Sequence, residues 1–389
     1  MSAAVRLLRP DEASEAARRA AMAFGSSWDT EAVETWRTRI DAGEVWGVEQ
    51  DGVVSAHGRV TAVEHWFGRR PVRAQHVASV AVSPEHRGRG AATALMRALA
   101  QQGAADGLGL SLLFPATTRL YRGLGWEHAG TLCTWRLDAR RAARGGPALR
   151  AATADDWPLI RECYRRAAVG VEGLEVERPE ATWARRHAAT YHFVLDGADG
   201  LDAYALFDHR ADPAGWQYDL AFRDWAALTP DGLAAVVGLV AAHGTVGRAA
   251  TFRDTDPSRW SMLVPEQDLE RLGGMYWAAR GLALPVAVAQ RGFPSGLAGE
   301  VTLAVDDDVL PTAHGVWRLQ VADGAAVLER TASTAPEVRL TARAVGPLFT
   351  GFRDPWQLAL AGLASGSPSG LELLGAAFAG SPPTLVDFF

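Results

Sequence analysis

The chain has 389 residues, 48% hydrophobic and 22% charged, which suits two or three packed domains with a sizeable core and does not make disorder the default. A net charge of −6 argues against nucleic acid as the main partner. Cys133 and Cys163 are too few and too far apart for a disulfide framework or a zinc pattern, and no apolar run reaches the length of a membrane span.

Asp11, Glu12 and Glu15 stand where a signal peptide would be apolar, so a soluble cytoplasmic protein is expected. All 39 basic residues are Arg and none is Lys, a compositional bias that lowers the information in any single Arg. In chain order, Ala4–Leu8 is a short apolar segment. Asp11 then caps a helix to about Phe24, with Ala13, Ala17 and Ala20 at helical spacing. Glu31–Ile40 reads as a second helix. Val45–Glu49 and Val53–Val60 flank Gln50-Asp51-Gly52, a hairpin signal. A Val- and Ala-rich strand over Gln75–Val82 leads through Arg87-Gly-Arg-Gly90 into a helix to about Gln102, whose Leu95, Met96 and Leu99 share a face. Leu110–Phe114 is a buried strand, Thr117–Gly123 a short helix and Trp126–Leu137 a closing strand.

Ala139–Pro147 has the composition of a linker. Leu149 begins a second unit with the grammar of the first. Helices are expected at Asp155–Ala168 and Arg178–His187, then strands at Tyr191–Leu195, Leu201–Asp208 and Trp216–Phe222. A helix over Leu228–His243 and a strand over Ala249–Arg253 complete it. The order suggests an internal duplication. The second unit has no Arg-x-x-Gly-x-Ala turn, so it reads as structural. From about Arg280 the texture changes. Leu284–Arg291 is helix or strand; four short strands and three helices follow, as in an α+β domain.

The turn at Arg87–Gly90 carries two positive charges at a helix start, where free N–H groups and the helix dipole favour an anion. Its spacing is neither the dinucleotide fingerprint nor the P-loop. Taken alone it also fits an ordinary glycine turn. Together with Val80-Ala-Val-x-Pro-x-His-Arg-x-Arg-Gly90, Leu120-Tyr-Arg-Gly-Leu-Gly-Trp126 and the terminal Phe389, it resembles the Eis (enhanced intracellular survival) family of GNAT N-acetyltransferases, over essentially the whole chain.

The resemblance implies an α/β (α+β) fold of tandem GNAT domains, with mixed sheets flanked by helices, and a C-terminal sterol-carrier-protein-like α+β domain. The expected limits are 1–143 for the first GNAT domain, 147–279 for a degenerate second and 280–389 for the third. It implies acetyl-CoA as co-substrate, held by Val80, Ala81, Val82, Arg87, Gly88, Arg89, Gly90, Ala91, Ala92, Thr93, Ala116 and Thr117, with no metal. It implies Tyr121 as general acid and the Phe389 carboxylate as general base, transfer to a small amine (aminoglycoside-like or polyamine) or a lysine side chain, and a homohexamer. His57, His65, His76 and His86 show no metal-ligand spacing; His86 suits a phosphate contact.

The residues agree with that chemistry. A phenol stays protonated at neutral pH and can donate to a leaving thiolate, although Tyr121 equally fits a packed sheet tyrosine. Chain ends fray unless something buries them, and the two aromatics Phe388 and Phe389 suggest docking. Phe24, Trp28 and Trp36, with Trp66, are candidate pocket walls; Asp29, Glu31, Glu64 and Asp387 are candidate cation attractors, and Phe388 is expected to touch the acceptor. The chain departs from the family's best-known member, an aminoglycoside acetyltransferase: the penultimate acid there is Phe388 here, with Asp387 one place earlier, and the acid after the first-helix phenylalanine is Ser26. Those losses weaken the case for a polycation. A competing class is a non-catalytic lipid carrier, with Trp356–Leu363 and Leu371–Phe378 lining a tunnel.

Overall fold

The computed structural model describes residues 4–212, 215–264 and 267–389, so a few residues of the two expected GNAT domains lie outside it. In the first unit a strand β1 (Ala4–Leu7) precedes helices α1 (Ala13–Phe24) and α2 (Thr30–Asp41). Glu12, not Asp11, closes the turn before α1: its carboxylate accepts from the Arg9 backbone N–H. Strands β2 (Val45–Gln50), β3 (Val53–Phe67) and β4 (Arg70–Val82) form a meander, and β3 and β4 run on well beyond the expected Val60 and Gln75. Helix α3 (Ala91–Ala105), β5 (Leu110–Leu113), α4 (Thr118–Arg122) and β6 (Glu127–Asp138) follow.

The second unit repeats this plan. It runs β7 (Arg150–Ala151), α5 (Trp157–Ala168), α6 (Glu180–His187), β8 (Tyr191–Gly197), β9 (Gly200–Ala211), β10 (Tyr218–Ala227), α7 (Pro230–Ala242), β11 (Gly247–Asp254) and β12 (Leu269–Gly281). The segment expected as a linker is docked against α7: a Cβ on Gly238 would meet the Gly145 carbonyl oxygen at 2.4 Å.

All twelve strands join one sheet, in the order β1-β2-β3-β4-β5-β12-β6-β11-β10-β9-β8-β7. The order reads the same from either edge, unit for unit, with one exchange. The last strand of the second unit, β12, lies beside β5 of the first; the last strand of the first unit, β6, lies beside β11 of the second. β6 therefore does not close its own unit. β12 and β6 pair antiparallel at the centre, where Gly130 leaves room for the Trp277 indole: a Cβ there would stand 2.3 Å from the ring. β12 escapes a reading by alternation because Gly273 and Gly274 interrupt it and residues 270–272 and 274–276 are exposed. The boundary expected at 279/280 falls inside it.

The third domain begins with α8 (Leu284–Gln290), which resolves the helix-or-strand choice. Strands β13 (Gly299–Asp306), β14 (Gly315–Ala322), β15 (Ala325–Arg330), β16 (Val338–Thr341) and β17 (Ala364–Gly366) form a separate sheet in the order β15-β14-β13-β16-β17. Helices α9 (Ala342–Phe349), α10 (Pro355–Leu360) and α11 (Pro368–Phe378) accompany them. One apolar core runs from Leu95 and Leu99 through Trp277 to Leu303 and Leu374, so this domain is fused to the first unit. Buried Arg280 on β12 ties the two with both Asp307 oxygens at 2.7 Å. The last residues return to the GNAT sheet: Thr384 bridges Thr131 of β6, and its hydroxyl donates to the Thr131 carbonyl at 2.9 Å.

Candidate active site

The site starts from a fault in β4. Its register against β3 skips a residue between Arg59↔Ala78 and His57↔Ala81, and Ser79 lies at φ +52. This is a β-bulge, which bends a strand and breaks the ladder locally. β4 pairs with the parallel β5 only as far as His76↔Leu112. Beyond that pair the strands part, and Val80, Ala81 and Val82 face the opening.

At the mouth of the opening α3 begins. Gly90 is its N-cap at φ +80 and Gly88 lies at φ +78, conformations that a β-branched residue resists. Glycine offers no side chain to cap the helix, so the first N–H groups, from Ala91 onward, remain free of intrahelical partners. Arg87 and Arg89 are exposed beside them. His86 has a buried Nδ1 without a hydrogen-bond partner among the described residues. These groups and the parted strand enclose a groove of about 590 Å³ that runs past Thr93, Ala116 and Thr117 to Phe24 and Tyr121. Free N–H donors with arginines at one end and an open strand edge at the other suit a pyrophosphate joined to an amide-bearing arm.

Tyr121 sits on α4 at the inner end of the groove and is 7% exposed. Burial pushes its phenol above the ordinary value, so it carries its proton at neutral pH. Phe388 and Phe389 lie at the point where β4 and β5 part. The Phe389 ring stacks on His76 with centroids 3.4 Å apart and touches Phe114 at 5.3 Å; Phe388 packs on Phe114 at 4.7 Å.

Comparison with known proteins agrees with this geometry. Residues 4–129 match an acetyltransferase (GNAT) domain family, residues 174–280 match a second such family, and residues 284–386 match the sterol carrier protein domain family. An uncharacterized N-acetyltransferase of Streptomyces coelicolor is 27% identical over 344 residues, 81% of either chain. The chain is a GNAT N-acetyltransferase of Eis-like fold. Among solved structures, the GCN5-related N-acetyltransferase of Anabaena variabilis superposes with a TM-score of 0.91 at 24% identity, covering all of both chains. Eis1 of Mycobacterium abscessus does so with 0.80 at 21% identity, again over all of both.

Within this N-acetyltransferase the expected donor residues converge on one groove: Val80–Val82, Arg87, Gly88, Gly90–Thr93, Ala116 and Thr117 line it, and Arg89 lies in the same turn. The expected acceptor residues do not all converge. Trp36 is 5% exposed and packs edge-on to His57 at 4.7 Å, in the core between the first two helices, so it is no pocket wall. Phe24 lines the groove, whereas Trp28 stands exposed in the loop before α2. Asp29 caps α2, accepting from Ala32 N–H at 2.8 Å. Asp387 is not a free cation attractor: Arg178 Nε donates to it at 2.7 Å and Arg186 pairs with it as well. Burial opposes its charge, but the two arginines hold its pKa below the usual range.

The fold also assembles groups that spacing does not reveal. His65 and His76 meet Nε2 to Nε2 at 2.8 Å, and His65 Nδ1 bonds the Gly173 carbonyl at 2.7 Å. Glu175 stands 3.9 Å from His76, and burial, with Asp387 nearby, lifts its pKa to about 8. The ligand-type atoms of this trio lie within 4.8 Å of one another, beneath the Phe389 ring. Burial keeps both imidazoles neutral, His65 falling to about 4 and His76 well below its ordinary value. Two residues from β3 and β4 and one from the second unit leave no local sequence signal. The bulge at Ser79 leaves none either; Arg178 had only its charge.

Proposed function

We propose that the enzyme transfers the acetyl group of acetyl-CoA to the amino group of a small amine, with Tyr121 as general acid and the Phe389 carboxylate as general base. The observation that carries this reading is the meeting of the groove, Tyr121 and the docked chain end where β4 and β5 part. The Arg87–Gly90 turn binds the pyrophosphate, and Val80–Val82 pairs with the pantetheine amides. The chain end takes a proton from the ammonium, directly or through water. The amine nitrogen then bonds the acetyl carbon while the carbon–sulfur bond breaks, and Tyr121 protonates the departing thiolate. Phe24, Phe114 and Phe388 give the acceptor side an aromatic lining, and Asp387 and Asp29 are committed elsewhere. This supports an amine with an apolar body over an aminoglycoside or polyamine polycation. Exposed Leu272, Met275 and Tyr276 on β12 support self-association, and no described helix is long and apolar enough to cross a membrane.

The test is thiol release from acetyl-CoA with aryl- and alkylamines, polyamines, aminoglycosides and lysine peptides. Turnover is expected with at least one class. Tyr121→Phe should lower kcat roughly 100-fold with little change in acetyl-CoA KM. Adding one residue after Phe389 should act alike, because it moves the carboxylate. No turnover with any amine would remove the reading. The lipid-carrier alternative gains little support: the apolar cavity of the third domain, lined by Leu303, Leu340, Leu374 and Phe378, is about 40 Å³, against roughly 300 Å³ or more for ordinary ligand pockets.

A further inference from the structure

The second unit keeps the strand fault of the first. β10 skips a residue at Arg223, between Phe222↔Phe207 and Asp224↔Leu206. Its parallel pairing with β11 ends at Ala221↔Thr251, and the two strands then part, as β4 and β5 do. Asp224, Trp225 and Ala226 follow this bulge as Val80, Ala81 and Val82 follow the one at Ser79. The cleft so formed has not stayed open. Helix α7 starts at Pro230, which has no N–H, and the Thr229 hydroxyl accepts from Gly232 N–H at 3.0 Å, so no cradle for a phosphate remains. The space is about 30 Å³, and the chain's own Val386 forms part of its wall.

What fills it is a set of charges aimed at the tail. Arg178 is fully buried, lies 3.7 Å over the Tyr164 ring, pairs with Asp224 at 2.5 Å and donates to Asp387 at 2.7 Å. Tyr204 OH donates to the same Asp224 at 2.7 Å. Arg186 pairs with the other Asp387 oxygen, and Arg253 Nη1 donates to the Val386 carbonyl at 2.6 Å. Two residues beyond Asp387, the Phe389 ring stacks on His76 at the head of the open cleft. One short segment thus touches both clefts, its acid in the closed one and its terminus at the open one.

We infer that the donor cleft of the second unit has become a clamp for the chain end, and that Arg178, Arg186 and Asp387 are positioning residues that set the Phe389 carboxylate in the first. The inference rests on the proposed role of Phe389 as base. It also accounts for the acid standing at Asp387: turned inward onto Arg178 and Arg186, that carboxylate anchors the tail and does not face the acceptor.

The experiment compares the full-length enzyme with Asp387→Asn, Arg186→Gln and a chain lacking Phe389. It measures kcat, acetyl-CoA KM, melting temperature and the rate at which carboxypeptidase releases phenylalanine. Asp387→Asn leaves the Arg178–Asp224 pair in place. It is expected to lower kcat about tenfold or more, to leave acetyl-CoA KM within about twofold and to speed phenylalanine release. A merely structural role would lower the melting temperature without that kcat-against-KM split. If Asp387→Asn folds poorly, Arg186→Gln breaks only the partly exposed half of the clamp and carries the same expectations. Wild-type kcat and wild-type resistance to carboxypeptidase in both variants would overturn the clamp. Undiminished kcat without Phe389 would instead overturn the base, and carboxypeptidase release would still decide the clamp.

Discussion

The two GNAT units share a strand order, a bulge and a parting pair of parallel strands, yet one encloses about 590 Å³ and the other about 30 Å³. The difference lies in two places. In the first unit a helix opens on glycine with its N–H groups free; in the second it opens on Thr229-Pro230 with its cap made. In the first unit Val80 follows the bulge and exposes backbone; in the second Asp224 follows it and draws in a buried arginine. The fold alone therefore does not keep the cleft open, and a handful of side chains decides which copy has a groove.

The strand exchange makes the two units inseparable. A chain ended at residue 143 keeps β6 but loses both of its neighbours, β11 and β12, and leaves an edge of β5 bare. We expect this fragment to show no cooperative thermal transition by circular dichroism and no acetyl-CoA binding. A sharp transition with retained binding would mean that the first unit stands alone.

A smaller change tests the open helix start. Gly90→Val keeps the arginines but forces a β-branched residue to φ +80, a strain of roughly 1–2 kcal/mol that the turn relieves by moving. Each charge-assisted hydrogen bond to a phosphate is worth about 1.5–3 kcal/mol, so losing one should raise acetyl-CoA KM about 10- to 150-fold. Titration calorimetry with CoA checks this, and unchanged affinity would remove the loop from the site.

Buried histidines in the first unit should make stability respond to pH. His57 is held neutral by burial and by Arg19, with its pKa near 3; His65 and His76 are lowered chiefly by burial. The unfolded chain protonates all three near pH 6.5, so their contribution is present above that value and is lost as pH falls. Glu175 acts the opposite way: its raised pKa lets the folded chain keep a proton that the unfolded chain releases above pH 4.5. Three groups outweigh one. Stability should fall between pH 6.5 and 4.5 by roughly 1.4 kcal/mol per pH unit for each net proton. Urea midpoints at pH 7.5, 6 and 5 measure it; a flat series would mean that the histidines are not neutral in the fold.

Much of this was legible in the chain, and the limits have physical causes. Local signals carry the donor turn, because Gly88, Gly90 and the arginines act within one helix start. The duplication shows in the repeated order of helices and strands. The exchange of β6 and β12 does not show, because pairing between strands more than 100 positions apart is set in the assembled sheet and leaves no local pattern. Trp36 and Asp387 mislead for a related reason: residue type suggests an aromatic wall and an acid, but burial against His57 and the reach of Arg178 across 209 positions decide their use.

The mildest test belongs to the second unit. Thr229→Ala removes the hydroxyl that caps α7 and should cost about 1 kcal/mol, read as a lower urea midpoint. It also uncovers an N–H at a helix start, the feature that marks the first unit's site. If an open helix end were enough for donor binding, this variant would gain a second, weak CoA site by calorimetry. We expect one site and an unchanged acetyl-CoA KM, because Pro230 still removes an N–H, no arginine turn precedes it, and Val386 and Arg178 still fill the cleft.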